Sequence, residues 1–305
     1  VTKGEIQPAA RPGDGAFVAA QIAEIRHHPA LPAAIDAFFL SMTEHQKAQR
    51  VRRFVIGDRG RRLAFWAALY LDAESRQQLG PGLTVNRLCD VLQAHGDMSR
   101  GRARAIFHLL RHVGFIERAG PSEAGKHQAF RPSERMLRMA TDRLALFFRA
   151  LAEVSPVGRS ALAALQTDGF CALFFARVGK LIVDGIRPLD REPLLAEFVS
   201  RDGGEYVLMH LCLAHSRADP VARRKGIVFN ITEIARATHT SRPQVSRIIA
   251  AAAEAGLVAR PSRAEIVVAE PLLAAVNDAI AATFTDLAAI TEVVLADLPA
   301  LSPAR

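Results

Sequence analysis

The side chains best placed for chemistry lie in one short run, Ser241-Arg242-Pro243-Gln244-Val245-Ser246-Arg247. Ser241 and Gln244 have the S-x-x-Q spacing of a helix N-terminus, with Pro243 in the first turn. Val245, Ile248, Ile249 and Ala252 then repeat at helical spacing and define one apolar face. Arg242, Gln244, Ser246 and Arg247 are left on the opposite face. Arginine offers a planar fork that suits guanine, and glutamine a donor–acceptor pair that suits adenine, so these four are candidates for contact with base edges. This chemistry is recognition by hydrogen bonding, not bond making.

Other constellations are weaker. His108 and His112 are four apart on one helix, but no H-E-x-x-H frame or third ligand accompanies them. Gly57-x-x-Gly60 and Gly80-Pro81-Gly82 are not followed by the G-K-[ST] of a phosphate loop. Serine, histidine and aspartate form no nucleophile motif. The reading is therefore of no enzyme, no catalytic residues, no metal and no cofactor.

The run sits inside a larger pattern. Asn230 and Glu233 start a preceding helix with N-x-x-E spacing, Thr238 to Thr240 break it, and Gly256 stops the second helix before Leu257-Val258. Helix, turn, polar-faced helix and strand is the order of a helix-turn-helix. The pattern occurs twice. Ser99-Arg100 falls on Ser241-Arg242, and Ala103, Ile106, Phe107 and Leu110 fall on Val245, Ile248, Ile249 and Ala252. Gly114-Phe115-Ile116 falls on Gly256-Leu257-Val258. The period is about half the chain, which implies an internal duplication.

Each second helix is followed by a predicted hairpin. One runs through Phe115 to Arg118 and Gln128 to Phe130, the other through Leu257 to Arg260 and Glu265 to Val268. Each then meets a proline and a long predicted helix, Ser133 to Val154 and Leu272 to Leu298. The expected fold is mainly α with small β-wings: two winged helix-turn-helix domains joined and flanked by long helices, in a pseudo-two-fold arrangement. The divisions are a flexible N-terminal arm at 1–28, a first half at 29–155 and a second half at 156–305.

Phe229 to Ala235, Thr240 to Ile249 and Glu254 to Val258 resemble the winged helix-turn-helix of MarR-like bacterial transcription regulators. The long flanking helices resemble that family's dimerisation helices. The resemblance implies a DNA-binding transcription regulator, and two units in one chain imply a single-chain pseudo-dimer reading two half-sites. It also leaves room for a small-molecule effector between the long helices and the winged units, and for a homo-oligomer. The chain departs from the family in carrying two units, and in the short Pro261 to Ala264 turn, which lacks the family's wing signature.

Charge agrees with a polyanionic partner. The chain has 39 Lys+Arg against 31 Asp+Glu, a net +8. Candidate DNA contacts in the first unit are Arg100, Arg102, Arg104, His108 and Arg111 on the second helix, with Lys126 and His127 in the wing loop. In the second they are Arg242, Gln244, Ser246, Arg247, Arg260 and Arg263. Arg100, Arg102 and Arg104 suit phosphate at least as well as bases. The basic stretch Lys47 to Arg62 either contacts DNA or neutralises acids on neighbouring helices, and Arg223-Arg224-Lys225 is a loop charge run that could touch the phosphate backbone. The last helix instead carries Asp278, Asp286, Glu292 and Asp297.

Cys89, Cys171 and Cys212 are widely spaced and read as reduced, buried thiols. No apolar run is expected to span a bilayer, and the first residues lack the apolar segment of a signal peptide. A cytoplasmic, nucleoid-associated protein is expected. Two other readings fit tandem winged helices: a plasmid-type replication initiator and a protein-interaction scaffold.

Overall fold

The computed structural model describes residues 14–48, 57–94, 98–120, 128–167, 169–184 and 192–301. Helix dominates and the strands are short, as the alanine- and leucine-rich composition favours.

Residues of the expected N-terminal arm are in part ordered secondary structure. Helix α1 (Asp14–Arg26) packs along the final helix, α14 (Glu270–Leu301). Ile25 is buried there, and Arg26 Nε lies 2.7 Å from Asp278 Oδ1. Here the chain covers apolar surface of α14 that would otherwise face water. Helix α2 (Leu31–Ala48) follows and buries Leu31, Ile35, Phe38, Phe39 and Met42 at helical spacing.

The first unit begins with α3 (Arg59–Arg76), then α4 (Val85–Gln93) and α5 (Arg100–His112). Their N-caps are Asp58, Thr84 and Ser99, whose side chains accept from the backbone N–H of Arg61, Arg87 and Arg102. Strands β1 (Ile116–Arg118) and β2 (Phe130–Pro132) pair antiparallel with Ile116 opposite Pro132, and Leu83 forms a bridge to Phe130 on the other side. Helix α6 (Glu134–Leu151) is capped by Ser133.

Helices α7 (Pro156–Ala164) and α8 (Phe170–Val183) lead to the second unit. Helix α8 lies directly on α3 of the first unit. A Cβ on Gly179 would sit 2.4 Å from Tyr70 Cβ, so glycine is what allows this approach. A 3-10 turn at Pro193–Leu195 and α9 (Ala196–Val199) precede α10 (Gly204–Arg217) and α11 (Pro220–Lys225). The unit continues with β3 (Ile227–Val228), α12 (Ile231–Ala237), α13 (Arg242–Glu254), β4 (Val258–Ala259) and β5 (Glu265–Val268). The sheet order is β3-β5-β4, antiparallel throughout. Strand β3 was not among the expected elements. Its signal is the apolar run Ile227-Val228-Phe229 after Gly226.

Both units close their second helix in the same way. Gly114 and Gly256 have φ of +73° and +71°, which glycine adopts without a Cβ clash. Phe115 N–H then bonds Leu110 O at 2.8 Å, and Leu257 N–H bonds Ala252 O at 2.8 Å. This six-to-one bond satisfies a terminal carbonyl and turns the chain into the hairpin. At the N-x-x-E and S-x-x-Q helix starts, Asn230 Oδ1 accepts from Thr232 and Glu233 N–H, and Ser241 Oγ from Gln244 N–H. The Gln244 side chain accepts from Arg247.

Buried side chains from both units form one continuous core. Its largest fully buried members include Phe65, Phe107, Phe148, Phe174 and Phe284. Helix α14 threads this core and corrects the expectation that no segment could span a bilayer. By length and composition alone Glu270–Leu298 passes, with mean hydropathy 1.6 and 56% of the window buried inside the fold. Asp278 and Asp297 on it pair with Arg26 and Arg177.

Candidate nucleic-acid interface

Helices α5 and α13 each turn one face inward and one outward. In α13 the buried face is Val245, Ile248, Ile249 and Ala252; in α5 it is Ala103, Ile106, Phe107 and Leu110. All eight are the residues whose spacing predicted them. What remains outside is set by the same periodicity.

In the second unit Arg242 and Arg247 are exposed, and Gln244 and Ser246 are half-buried beside them. Arg247 Nη1 donates to Gln244 Oε1 at 3.2 Å, so the two side chains form a linked pair on the helix surface. Arg242 makes no ion pair or side-chain hydrogen bond among the described residues. At the hairpin, Arg260 Nη2 donates to Arg263 O at 3.5 Å and Arg263 is exposed. Ser262 Oγ bonds Glu265 Oε2 at 3.0 Å and tightens the turn.

The first unit divides its cations. Arg104, His108 and Arg111 lie exposed along α5. Arg104 has no hydrogen-bonded or ion-pair partner among the described residues. The His108 ring meets Phe107 edge-on, and the Arg111 guanidinium sits 5.8 Å from the Phe130 ring centroid at the base of the hairpin. Arg100 is engaged differently. It pairs with Asp90 and donates to Gln93 and Asn86, all on α4, so it staples the two helices together. Arg102 Nη2 approaches Asp58 Oδ1 at 3.4 Å. Lys126 and His127 lie outside the described residues.

The remaining basic residues are mostly committed inward. Arg61 pairs with Asp58 at 2.7 Å and Asp202 at 3.6 Å, and Arg62 with Glu205 at 2.9 Å. Of the two readings of the Lys47 to Arg62 stretch, neutralisation of neighbouring acids holds for these two. Arg50, Arg52 and Arg53 lie outside the described residues. Arg223 donates to Ala218 O and Ser216 O and closes the C-terminus of α10, whereas Arg224 and Lys225 are exposed.

Cys89 and Cys212 are buried and Cys171 is half-buried. Burial pushes the Cys212 thiol up to about 12 and raises those of Cys171 and Cys89. None is thereby made a ready thiolate.

Several cationic and acidic residues of consequence escaped the sequence reading. Arg236 on α12 and Arg118 on β1 are exposed beside the candidate contacts. Asp58, Asp90 and Glu205 decide which arginines stay free. Only Glu205 left a trace in the sequence, as an acid opening the apolar run Tyr206 to Leu213.

Compared with known proteins, the chain matches no family model, no curated protein and no solved structure.

Proposed function

We propose that this chain is a sequence-specific regulator of transcription that reads double-stranded DNA with two winged helix-turn-helix units, a single-chain pseudo-dimer. The observation that carries the reading is the repeated one. In each unit a serine-capped second helix buries one face, ends on a left-handed glycine, enters a hairpin and leaves cations exposed on its outer face. The resemblance of Thr240 to Ile249 and its flanks to MarR-like regulators supports the same reading.

In this reading the two heads divide the work. Arg242, Gln244, Ser246 and Arg247 discriminate bases. Arg104, with His108 and Arg111, grips phosphate. Two unlike heads suit an asymmetric site, whereas a symmetric dimer requires a near-palindrome.

The test is fluorescence anisotropy of duplexes against the full chain over a range of salt, followed by selection of bound sequences from a random pool. Binding that falls steeply with salt and enriches a two-part motif is expected. No duplex binding at low salt would overturn the proposal.

A further inference from the structure

In both units the residue before the cap of the outward helix sits on a glycine at the start of the unit's first helix. A Cβ on Gly60 of α3 would stand 3.1 Å from Met98 Cε. One on Gly203, the N-cap of α10, would stand 2.3 Å from Thr240 Oγ1. Met98 precedes Ser99 and Thr240 precedes Ser241, the residues whose side chains cap α5 and α13. Met98 and Thr240 are both buried. Each outward helix therefore starts from a closed seat with no room for a further side chain.

The two seats are joined to each other. Gly203 N–H donates to Gly57 O at 3.1 Å, a backbone bond between the two units. Asp58 Oδ2 accepts from Arg61 Nε at 2.7 Å, and Arg61 Nη2 lies 3.6 Å from Asp202 Oδ1. One residue further on, Arg62 Nη1 lies 2.9 Å from Glu205 Oε2 and its Nη2 donates to Val199 O at 3.4 Å. Hydrogen bonds to charged groups are the stronger class. Helices α9 and α10, which carry Val199 and Glu205, also touch α13. An unbroken path thus runs from α5 through Met98, Gly60 and Gly57 to Gly203, Thr240 and α13.

We infer that this junction, Gly57 against Asp202 and Gly203, fixes the separation and angle of the two outward helices and so selects the spacing of the two half-sites. The second clause rests on the DNA-binding reading; the first does not. Each base pair added between half-sites moves one of them by about 3.4 Å and turns it by about 35°. Rigidly joined heads therefore accept one spacing, and loosely joined heads accept several. Asp202 and Gly203 act here as positioning residues.

Spin labels on His112→Cys and Glu254→Cys, at the ends of α5 and α13, read the separation without DNA, with Cys171→Ala removing the half-buried thiol. Double electron–electron resonance on the full chain should give one narrow distance distribution. Gly203→Ala should shift or broaden it, and adding Thr240→Ala, which removes the clashing oxygen, should restore it at least in part. Gly169→Ala imposes similar left-handed strain, at φ +85°, but its nearest neighbour is Leu298 at 3.9 Å, so it should leave the distribution as it was. Should Gly203→Ala fail to fold, Asp202→Ala, which drops the Arg61 contact and adds no volume, is read in its place. A broad distribution in the labelled chain, no change in the variant, or an equal change in Gly169→Ala overturns the inference. On duplexes whose spacer changes one base pair at a time, the unaltered chain should lose about tenfold or more off its optimum. Gly203→Ala should flatten or move that optimum; the same spacer profile in both chains also overturns the inference. Absence of any duplex binding would instead strike the DNA reading, and the distances would still decide the junction.

Discussion

Arg102 Nη2 lies 3.4 Å from Asp58 Oδ1, the same oxygen that accepts from the N–H of Arg61 and caps α3. One carboxylate thus joins the start of the first helix of the unit to the first turn of its outward-facing helix. Although burial by itself would raise the Asp58 carboxyl, its bonds to Arg61 and the nearby Arg102 hold it below the ordinary value. Asp58→Ala should cost about 1 kcal/mol through the lost cap. It also frees Arg102, so duplex affinity at low salt should rise while stability falls. Urea titration and anisotropy on one sample read both quantities; a stability loss with unchanged affinity would show Arg102 to be idle.

The glycines after α5 and α13 have open space where a Cβ would stand, so substitution tests backbone strain alone. Gly114→Ala and Gly256→Ala should each destabilise by roughly 1–2 kcal/mol, the cost of a left-handed alanine. Asparagine at either position should cost less, because its side chain tolerates that conformation. Denaturant midpoints measure the order; alanine and asparagine costing the same would contradict it.

The arginines of α5 separate into two experimental classes. Arg104→Ala should weaken binding to all duplexes and reduce the salt slope by about 0.9, one phosphate contact. Arg100→Ala should leave the slope unchanged and lower stability, because Arg100 bonds Asp90, Gln93 and Asn86. Arg247→Ala should alter which bases are preferred. A salt slope that responds to Arg100→Ala as to Arg104→Ala would refute the division.

Gly179 is a point of closest approach between α8 and α3. Alanine there would place its Cβ 2.4 Å from Tyr70 Cβ, so the helices must separate. Overpacking of this kind costs about 1–3 kcal/mol. Gly179→Ala should lower Tm, and pairing it with Tyr70→Gly, which removes the clashing Cβ, should cost less than the two single changes together. Independent, additive losses would mean the two residues do not meet.

His210 on α10 carries a pH signature. Burial first, and then the Lys47 charge, lower its pKa from 6.5 to about 4. Between those values the unfolded chain takes up the proton and the folded chain does not. Stability therefore falls as pH drops from about 6.5 to about 4. In His210→Gln this part of the acid loss should disappear. Urea midpoints at pH 7, 5.5 and 4.5 (round values spanning the window) compare the two; parallel curves would exclude His210 as the source.

Much of the local structure was legible in the residue order. Ser99 and Ser241 cap, the apolar residues of α5 and α13 point inward, and Gly114 and Gly256 stop their helices, because each signal acts within a few residues. Two elements had longer-range causes. Helix α1 forms because α14 offers it an apolar face, and β3 pairs because β5 lies beside it. Neither partner is near in sequence.

The candidate interface was legible only as a composition of charge. Arginines look alike along the chain, and their fates are decided by acids that folding brings near. Arg100 meets Asp90, Arg102 meets Asp58, and Arg62 and Arg143 converge on Glu205, while Arg104 and Arg242 meet none among the described residues. Residue order determined that there are two capped, two-faced helices and which face of each turns outward, since periodicity depends only on neighbours one turn apart. Which cations remain on that face, and that Arg62 and Arg143 converge on Glu205 beside a cavity, only the tertiary structure decided, because ion pairing and cavities depend on distances in space.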